Sequence, residues 1–125
     1  MIVKVCGMRD PDNIRAVEQI GPDWMGFIFF PHSCRHVSLR PAYLPERCKR
    51  VGVFVNEVTP AILQKAEEFD LHYIQLHGTE TSEQCLNLKR AGLGVIKVFP
   101  IASMSDLKST ACYENVCDYF LFDRS

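Results

Sequence analysis

The sequence lacks the features that mark membrane-spanning, secreted and nucleic-acid-binding proteins. No apolar run approaches the roughly 20 residues of a membrane span, and no signal-peptide pattern begins the chain. Basic and acidic residues nearly balance, at a net charge of -1, which excludes nucleic acid and anionic membranes as main partners. We therefore expect a cytoplasmic protein with no nucleic-acid or membrane partner.

Disulfide and glycine-rich phosphate-binding patterns are also missing. The six cysteines are irregularly spaced, several lie among apolar residues, and no C-x-x-C pair occurs. We expect reduced thiols, most of them small core residues. Gly92-Leu93-Gly94 fits a structural turn between a helix and a strand. With 47% hydrophobic and 23% charged residues in 125, the composition predicts one globular domain, residues 1–125.

Six short runs rich in β-branched and aromatic residues indicate strands. They begin roughly 22 to 27 residues apart, about the length of one strand, one helix and two loops. Their nearly continuous apolar character is typical of parallel strands that are covered on both faces. The predicted strands are Ile2–Cys6, Trp24–Phe30, Val51–Val55, Tyr73–His77, Val95–Phe99 and Tyr119–Phe122.

Helix signals separate these strands. Asp10 and Pro11 predict an N-cap followed by the first helical position, and Gly21-Pro22 predicts the end of that helix. Thr59-Pro60 repeats the same opening, and Thr81–Gln84 has the form of a capping box. The predicted buried stripes are Ile14, Val17 and Ile20 in the first helix and Ile62, Ala66 and Phe69 in the second.

Two more helices are expected from weaker patterns. Pro41–Lys49 is predicted as a short helix, and Ser103–Tyr113 as a weaker one. The basic stretch Arg47–Arg50 is then the solvated end of the former helix rather than a polyanion site.

Alternation of strands and helices leaves two main architectures, a β/α barrel and a doubly wound open sheet. Both place their sites at the carboxyl ends of the strands. Polar residues follow those ends here, namely Cys6, the Pro31–Arg40 loop, Asn56, His77 and Asp123. Because contributions from so many successive strands converge best around a ring, we favour an α/β fold of the β/α (TIM-type) barrel kind.

Cys6 and Asp123 are the candidate acid–base residues. Cys6 lies next to Gly7 and near the N-terminus of the helix capped by Asp10, where amide dipoles favour a thiolate. A thiolate acts as a nucleophile or as a general base. Asp123 ends an apolar strand, a setting in which a carboxyl group is suited to donate a proton near neutrality. A buried structural thiol and a turn or helix-cap aspartate are the alternatives.

Arg35 and His77 are the candidate substrate-binding residues. Arg35 lies in a polar loop and offers a two-point fork for a carboxylate, unless it is a surface arginine. His77 lies at a strand end, where it lines the site or bonds to the backbone. His32 and His36 are four residues apart, but we expect no metal site because the loop lacks helical pattern and a third ligand.

Five segments together resemble phosphoribosylanthranilate isomerase, in that family's order and spacing and over essentially the whole chain. They are Lys4-Val5-Cys6-Gly7-Met8, Gly26-Phe27-Ile28-Phe29 followed by Ser33-Cys34-Arg35, Val51–Asn56, Ile74–Gly78 and Phe120–Asp123. Each motif alone is weak, but five in register are highly specific.

The resemblance implies a β/α-barrel enzyme of tryptophan biosynthesis that needs no metal or organic cofactor. Its small-molecule substrate, N-(5-phosphoribosyl)anthranilate, is phosphorylated and undergoes an Amadori rearrangement to 1-(2-carboxyphenylamino)-1-deoxyribulose 5-phosphate. The resemblance makes Asp123 the general acid that opens the sugar ring and Cys6 the general base that takes the C2 proton. It makes Arg35 the residue that holds the anthranilate carboxylate.

The number of predicted strands departs from the family pattern. A β/α barrel has eight strands, and six are predicted here. In the family, the remaining strands follow the catalytic aspartate and carry glycine-rich loops that bind the substrate phosphate. We therefore expect a barrel truncated to six parallel strands, with impaired turnover. Its two open edges favour association, so we expect a homo-oligomer or a complementing chain.

Three alternative interpretations stay open. Indoleglycerol phosphate synthase is a barrel enzyme of a kind that commonly uses lysines for acid–base chemistry, and Lys4 and Lys97 lie within strands. A non-catalytic barrel fragment that assembles with itself or with a complementary chain would keep the family's sequence without its activity. A doubly wound thiol or redox protein is disfavoured because no C-x-x-C pair occurs.

Overall fold

Six strands and four helices follow one another in the computed structural model, which describes residues 1–100 and 108–123 (for 108, 109 and 123, the backbone alone). The strands are β1 (Lys4–Val5), β2 (Trp24–Ile28), β3 (Lys49–Phe54), β4 (Tyr73–Leu76), β5 (Gly94–Pro100) and β6 (Tyr119–Asp123). The helices are α1 (Pro11–Ile20), α2 (Thr59–Phe69), α3 (Ser82–Arg90) and α4 (Lys108–Ala111). All six predicted strands are confirmed, with ends that differ by at most two residues.

The strand order distinguishes between the two architectures. All six strands are parallel and form one sheet in the order β1-β2-β3-β4-β5-β6. A doubly wound sheet reverses its order at a switch point, whereas a barrel adds each strand beside the preceding one. Lys4 Nζ donates a hydrogen bond to Gln75 Oε1 across two intervening strands, so the sheet is curved with these side chains inside. The fold is therefore α/β, an arc of six strands of the β/α-barrel kind.

The curved sheet separates two apolar layers. Its outer face packs against the helices through a large core that includes Ile14, Phe27, Ile62, Phe69 and Leu88. Its inner face holds a smaller cluster near the amino ends of the strands, which we call the foot. The buried residues of this cluster are Trp24, Val51 and Ile96, with Tyr73 and Leu121 packed against them. Both faces of the sheet are covered in this way, as the nearly continuous apolar strands predict.

Helix α1 begins and ends where the sequence predicts. Asp10 Oδ1 accepts a hydrogen bond from the Asp12 N–H at 3.0 Å, and Gly21 ends the helix in the left-handed conformation. Ile14 is fully buried, but Ile20 is 83% exposed, so the predicted stripe is wrong at its third member. The buried residue of the last turn is instead Glu18.

Helices α2 and α3 differ from prediction in their caps. The stripe of α2 is confirmed, but Val58 occupies its N-cap position without a side-chain hydrogen bond, so the predicted Thr59-Pro60 opening is displaced by one residue. Thr81 caps α3 by accepting from the Gln84 N–H at 3.1 Å. The Gln84 side chain does not close a capping box; it donates to the carbonyl of Glu57 and to Thr59 Oγ1.

The predicted helix Pro41–Lys49 is wrong. The segment is irregular, with bends at residues 42 and 46–48, and Lys49 begins β3. Its backbone finds a partner in the Glu18 carboxylate, which accepts from the N–H groups of Glu46 and Arg47 at 2.7 and 2.8 Å and from the Tyr43 hydroxyl. Of the predicted helix Ser103–Tyr113, the described part is helical over Lys108–Ala111, and residues 103–107 lie outside the described residues.

The expectation that most cysteines are core residues is also wrong. Cys48 and Cys85 are buried, Cys34 and Cys112 are exposed, and the remaining two are partly exposed. Among the residues that the structure describes, no helix is long and apolar enough to cross a membrane.

Candidate functional site

The carboxyl ends of the parallel strands form one edge of the sheet, which we call the mouth. Cys6 follows β1, and Asn56 and His77 follow β3 and β4 closely. Asp123 is the last residue of β6, where its backbone pairs with Pro100; its side chain is not among those described. The predicted site residues of these strands therefore share one edge of the sheet, as expected.

A glycine turn fixes the position of Cys6. Gly7 adopts φ +84°, a left-handed conformation that residues with a side chain rarely adopt. The N–H groups of Gly7 and Met8 both donate to the carbonyl of Gly26 on β2, at 3.1 and 3.2 Å. The chain thus turns away directly after Cys6 and leaves its partly exposed thiol at the mouth.

A second glycine makes room for the thiol. A Cβ atom placed on Gly26 would lie 2.7 Å from Cys6 Sγ and 3.0 Å from Lys4 Cε. Real Cβ contacts of 2.7 Å essentially never occur, so the sulfur occupies space that the side chain of any other residue type at position 26 would fill. Gly26 therefore contributes to the site through the side chain it lacks.

The Pro31–Arg40 loop brings Arg35 to the same place. A Cβ atom on Gly7 would lie 2.8 Å from Arg35 Cδ and 3.2 Å from Nη1, so the arginine side chain lies directly over the residue that follows Cys6. Arg35 is exposed, and among the described residues it forms no ion pair. An accessible guanidinium offers a carboxylate two parallel hydrogen bonds, here over the residue that follows Cys6.

The histidines occupy less distinctive positions. His77 is exposed after β4, and its backbone N–H donates to the carbonyl of Phe54 at 2.9 Å. In the Pro31–Arg40 loop, the ring of His32 lies 5.1 Å from that of Phe30, and the backbone of His36 forms an isolated parallel β-bridge with that of Ile28. Within residues 1–100 and 108–123 there is no group of three or more metal-ligating side chains.

An ion pair that the sequence did not predict joins two mouth turns. Lys97 Nζ lies 3.3 Å from Glu80 Oε1, and each residue is only 3% exposed. The Glu80 carboxylate also accepts from the N–H groups of Asn56 and Gly78 at 2.8 and 2.9 Å, and Lys97 donates to the carbonyl of Gly78 at 2.7 Å. This network holds together the turns that present Asn56 and His77.

A signal for this pair was present in the sequence. Lys97 lies within the apolar run Val95–Phe99, and a lysine is almost never fully buried unless it is paired. The sequence does not reveal which acidic residue pairs with it, because Glu80 lies 17 residues away in a loop. The same limit applies to Lys4, whose partner Gln75 is 71 residues distant.

A cleft of about 660 Å³ lies at the opposite edge of the sheet. It is lined by residues at the amino ends of the strands, including Trp24, Lys49 and His72. None of the predicted site residues borders it, so the size of this cleft does not mark the site. The chemistry converges instead on the mouth.

The parallel strands lie in the sheet in the order in which they follow one another in the chain, and polar residues are grouped at their carboxyl ends. These two features define a β/α-barrel protein. The sequence profile described as N-(5'-phosphoribosyl)anthranilate (PRA) isomerase matches residues 3–125. The chain therefore belongs to the N-(5'-phosphoribosyl)anthranilate isomerase family, an isomerase family of tryptophan biosynthesis, as the resemblance of its five motifs predicts.

Relatives and solved structures agree with this membership. The chain is 72% identical over 123 residues to the N-(5'-phosphoribosyl)anthranilate isomerase of Phocaeicola vulgatus, covering 98% of the chain and 60% of that relative. It is similar to a phosphoribosyl anthranilate isomerase crystallised with reduced 1-(o-carboxyphenylamino)-1-deoxyribulose 5-phosphate, at a TM-score of 0.85 and 33% identity, over 98% of this chain and 65% of that one. Monomers derived from the dimeric Thermotoga maritima isomerase match at a TM-score of 0.83 and 29% identity, over 100% and 67%. The chain thus spans about three fifths of the length of the curated relative.

Proposed function

We propose that this chain carries the acid–base residues of a phosphoribosylanthranilate isomerase. The observation that carries the proposal is the position of the Arg35 side chain directly over Gly7, the residue that follows Cys6. The substrate of the reaction combines an anthranilate carboxylate with a sugar carbon that must lose a proton. The guanidinium over Gly7 and the thiol of the preceding residue match these two groups.

In the proposed mechanism, Asp123 donates a proton to the furanose ring oxygen, and the sugar opens to a Schiff base. The Cys6 thiolate then takes the C2 proton, which yields an enolamine that tautomerises to the ketone. Arg35 holds the anthranilate carboxylate, and His77 lines the same mouth as a substrate-binding residue. Each positioned acid or base typically contributes about 10²–10⁴ in rate. No metal or organic cofactor takes part in these steps.

A phosphorylated sugar is the proposed substrate class, in keeping with the deoxyribulose 5-phosphate compound bound to the relative of known structure. In the family, the strands that follow the catalytic aspartate bind the phosphate. Binding energy from a remote phosphate normally positions the reacting sugar. We place the reaction in the cytoplasm.

A hybrid enzyme tests the proposal with the chain's own site residues. Residues 1–125 replace the matching part of the Phocaeicola vulgatus isomerase, and loss of phosphoribosylanthranilate fluorescence is followed over time. The hybrid is expected to turn over substrate, and the Cys6→Ala and Asp123→Asn hybrids are expected to lose that activity. A Cys34→Ala hybrid, which changes an exposed thiol in the Arg35 loop, is the matched control. Unchanged turnover in the Cys6→Ala hybrid would sink the proposed role of the base.

A second candidate function is assembly, and the edges of the sheet favour it. Tyr119 and Phe122 on β6 are each 40% exposed, and Ile2 and Val3 beside β1 are similarly exposed. Exposed apolar edge strands promote pairing with another chain. We propose that a second copy or a complementing chain covers these edges; the Thermotoga maritima relative is described as dimeric. Sedimentation of the purified chain as a clean monomer at micromolar concentration would contradict this.

A further inference from the structure

Lys4 reaches into the inside of the curved sheet. It is the first residue of β1, and its Nζ donates a hydrogen bond to Oε1 of Gln75 on β4. Gln75 is itself buried. The amide therefore fixes the position of the ammonium group.

The Lys4 side chain also lies beside Cys6. The point at which Gly26 would carry a Cβ atom is 3.0 Å from Lys4 Cε and 2.7 Å from Cys6 Sγ, so the two side chains share the space above that glycine. Burial lowers the pKa of Lys4, and the charge and hydrogen bond of Cys6 act in the opposite direction by favouring the ammonium form. An ammonium group next to a thiol favours the thiolate by the same interaction.

The other elements around β1 bring few charges to this position. On the inner face, β2 contributes Trp24 and Gly26, neither of which titrates. Beyond Gln75, β4 contributes Tyr73 and, at its end, His77. The Pro31–Arg40 loop contributes Arg35, a second cation, which lies over Gly7. The two charged side chains that the structure describes around Cys6 and Gly7, those of Lys4 and Arg35, are thus both cations.

We propose that Lys4 is a positioning residue for Cys6: its ammonium group, held by Gln75, keeps the sulfur at the mouth as a thiolate. Lys4 retains its proton, and the thiolate remains the group that accepts the C2 proton of the substrate. The inference rests on the proposed role of Cys6 as the base. It assigns the acid–base group to Cys6 and a supporting charge to Lys4, unlike a mechanism that uses lysine itself for proton transfer.

Alkylation of the purified 125-residue chain tests this without any turnover. Iodoacetamide reacts with thiolates, and mass spectrometry of the peptides measures the rate at each cysteine separately across a pH series. Lys4→Met is expected to slow Cys6 alkylation at pH 7 by about fivefold and to move its pH profile upward. Lys4→Arg is expected to restore most of the rate, and Lys49→Met, an exposed lysine at the foot of β3, to change nothing.

The buried cysteines report whether each variant is folded. Cys48 and Cys85 should stay protected from alkylation in every folded variant. If Lys4→Met exposes them, Gln75→Leu, which removes only the anchor of the ammonium group, decides the matter and should also slow Cys6 alkylation. An unchanged Cys6 profile in a folded Lys4→Met or Gln75→Leu chain would overturn the proposal. Failure of the hybrid to turn over substrate would leave this measurement unaffected, so the two proposals fail separately.

Discussion

The two faces of the sheet differ in composition and in what they contribute. The outer face is apolar along the length of the strands and meets the helices in one large core. The inner face is aromatic at the foot, where Trp24 lies 4.8 Å from Tyr73 and 5.0 Å from Tyr119 between ring centroids. Nearer the mouth, the same face carries Gln75, which accepts a hydrogen bond from Lys4, and Cys6 after the end of β1. Stability therefore comes mainly from the outer face, and the proposed chemistry from the inner face at the mouth.

Two features depart from this division. The Lys97–Glu80 ion pair lies in the otherwise apolar outer layer, and the exposed aromatic residues of β6 lie at a sheet edge. The ion pair contributes to the mouth indirectly, because it joins the turns after β3 and β4. Substitutions on each face should therefore affect stability and site chemistry in different proportions.

The largest expected loss of stability comes from the outer core. Phe69 is fully buried, with its ring 4.8 Å from that of Phe29 and 5.8 Å from that of Phe27. Phe69→Ala should lower the free energy of unfolding by about 3–5 kcal/mol, measured by urea denaturation. Ile20→Ala, on the exposed end of α1, should stay within about 0.5 kcal/mol. Equal losses in the two variants would contradict the assignment of the core.

Breaking the buried ion pair should have a similar or slightly smaller effect. Glu80→Leu leaves the Lys97 ammonium group buried without its carboxylate and should cost about 3–5 kcal/mol. Glu68→Gln removes a partner from the more exposed Lys65–Glu68 pair and should cost less than about 1 kcal/mol. Both are measured by urea unfolding at about pH 7. A small loss for Glu80→Leu would contradict the assignment of Lys97 as a buried ammonium group that needs its carboxylate.

Glu18 should make stability depend on pH. Burial opposes its ionisation, but hydrogen bonds from the Tyr43 hydroxyl and from the Arg47 and Glu46 N–H groups outweigh this and lower the pKa of Glu18. A carboxyl with a lower pKa in the folded state stabilises the fold above its unfolded value, about 4.3, and this contribution is lost as pH falls through the folded value.

Glu18→Gln should accordingly cost about 1–3 kcal/mol at pH 7 and lose less further stability below about pH 4.3 than the unsubstituted chain. Urea unfolding at several pH values measures both effects. Glu67→Gln, on the exposed face of α2, serves as the control and should follow the unsubstituted chain. Parallel pH profiles for Glu18→Gln and the unsubstituted chain would refute the proposed contribution.

The smallest expected effect is that of a helix cap. Thr81→Ala removes the hydrogen bond to the Gln84 N–H and should cost about 1 kcal/mol. Val58→Ala, at the N-cap of α2, removes no side-chain hydrogen bond there and should cost less. Thermal unfolding of the two variants compares them directly, and the reverse order would contradict the cap assignment.

The sequence predicts what depends on neighbouring residues. All six strands are recognisable because β-branched and aromatic runs are local, and Asp10 and Thr81 cap their helices because capping is a contact over two or three residues. The prediction of a helix over Pro41–Lys49 is wrong because the backbone of this segment is bound by Glu18, which lies in a different element. The prediction that Ile20 is buried is wrong because periodicity does not reveal where a helix leaves the core.

In the candidate site, too, the sequence predicts the local features and misses the contacts between distant elements. The carboxyl ends of the predicted strands locate Cys6, His77 and Asp123 at one edge of the sheet from the sequence alone. The path of the Pro31–Arg40 loop, which brings Arg35 over Gly7, depends on packing and is not readable from spacing. The contact of Lys4 with Gln75 depends on the curvature of the sheet and is likewise invisible in the sequence.

The most direct test of Cys6 as the base separates binding from chemistry in the hybrid with the Phocaeicola vulgatus isomerase. Affinity for reduced 1-(o-carboxyphenylamino)-1-deoxyribulose 5-phosphate and loss of phosphoribosylanthranilate fluorescence are measured for the hybrid and its Cys6→Ala variant. We predict nearly equal affinity and loss of turnover in the variant. Turnover that persists in Cys6→Ala with unchanged affinity would contradict the assignment of Cys6 as the base.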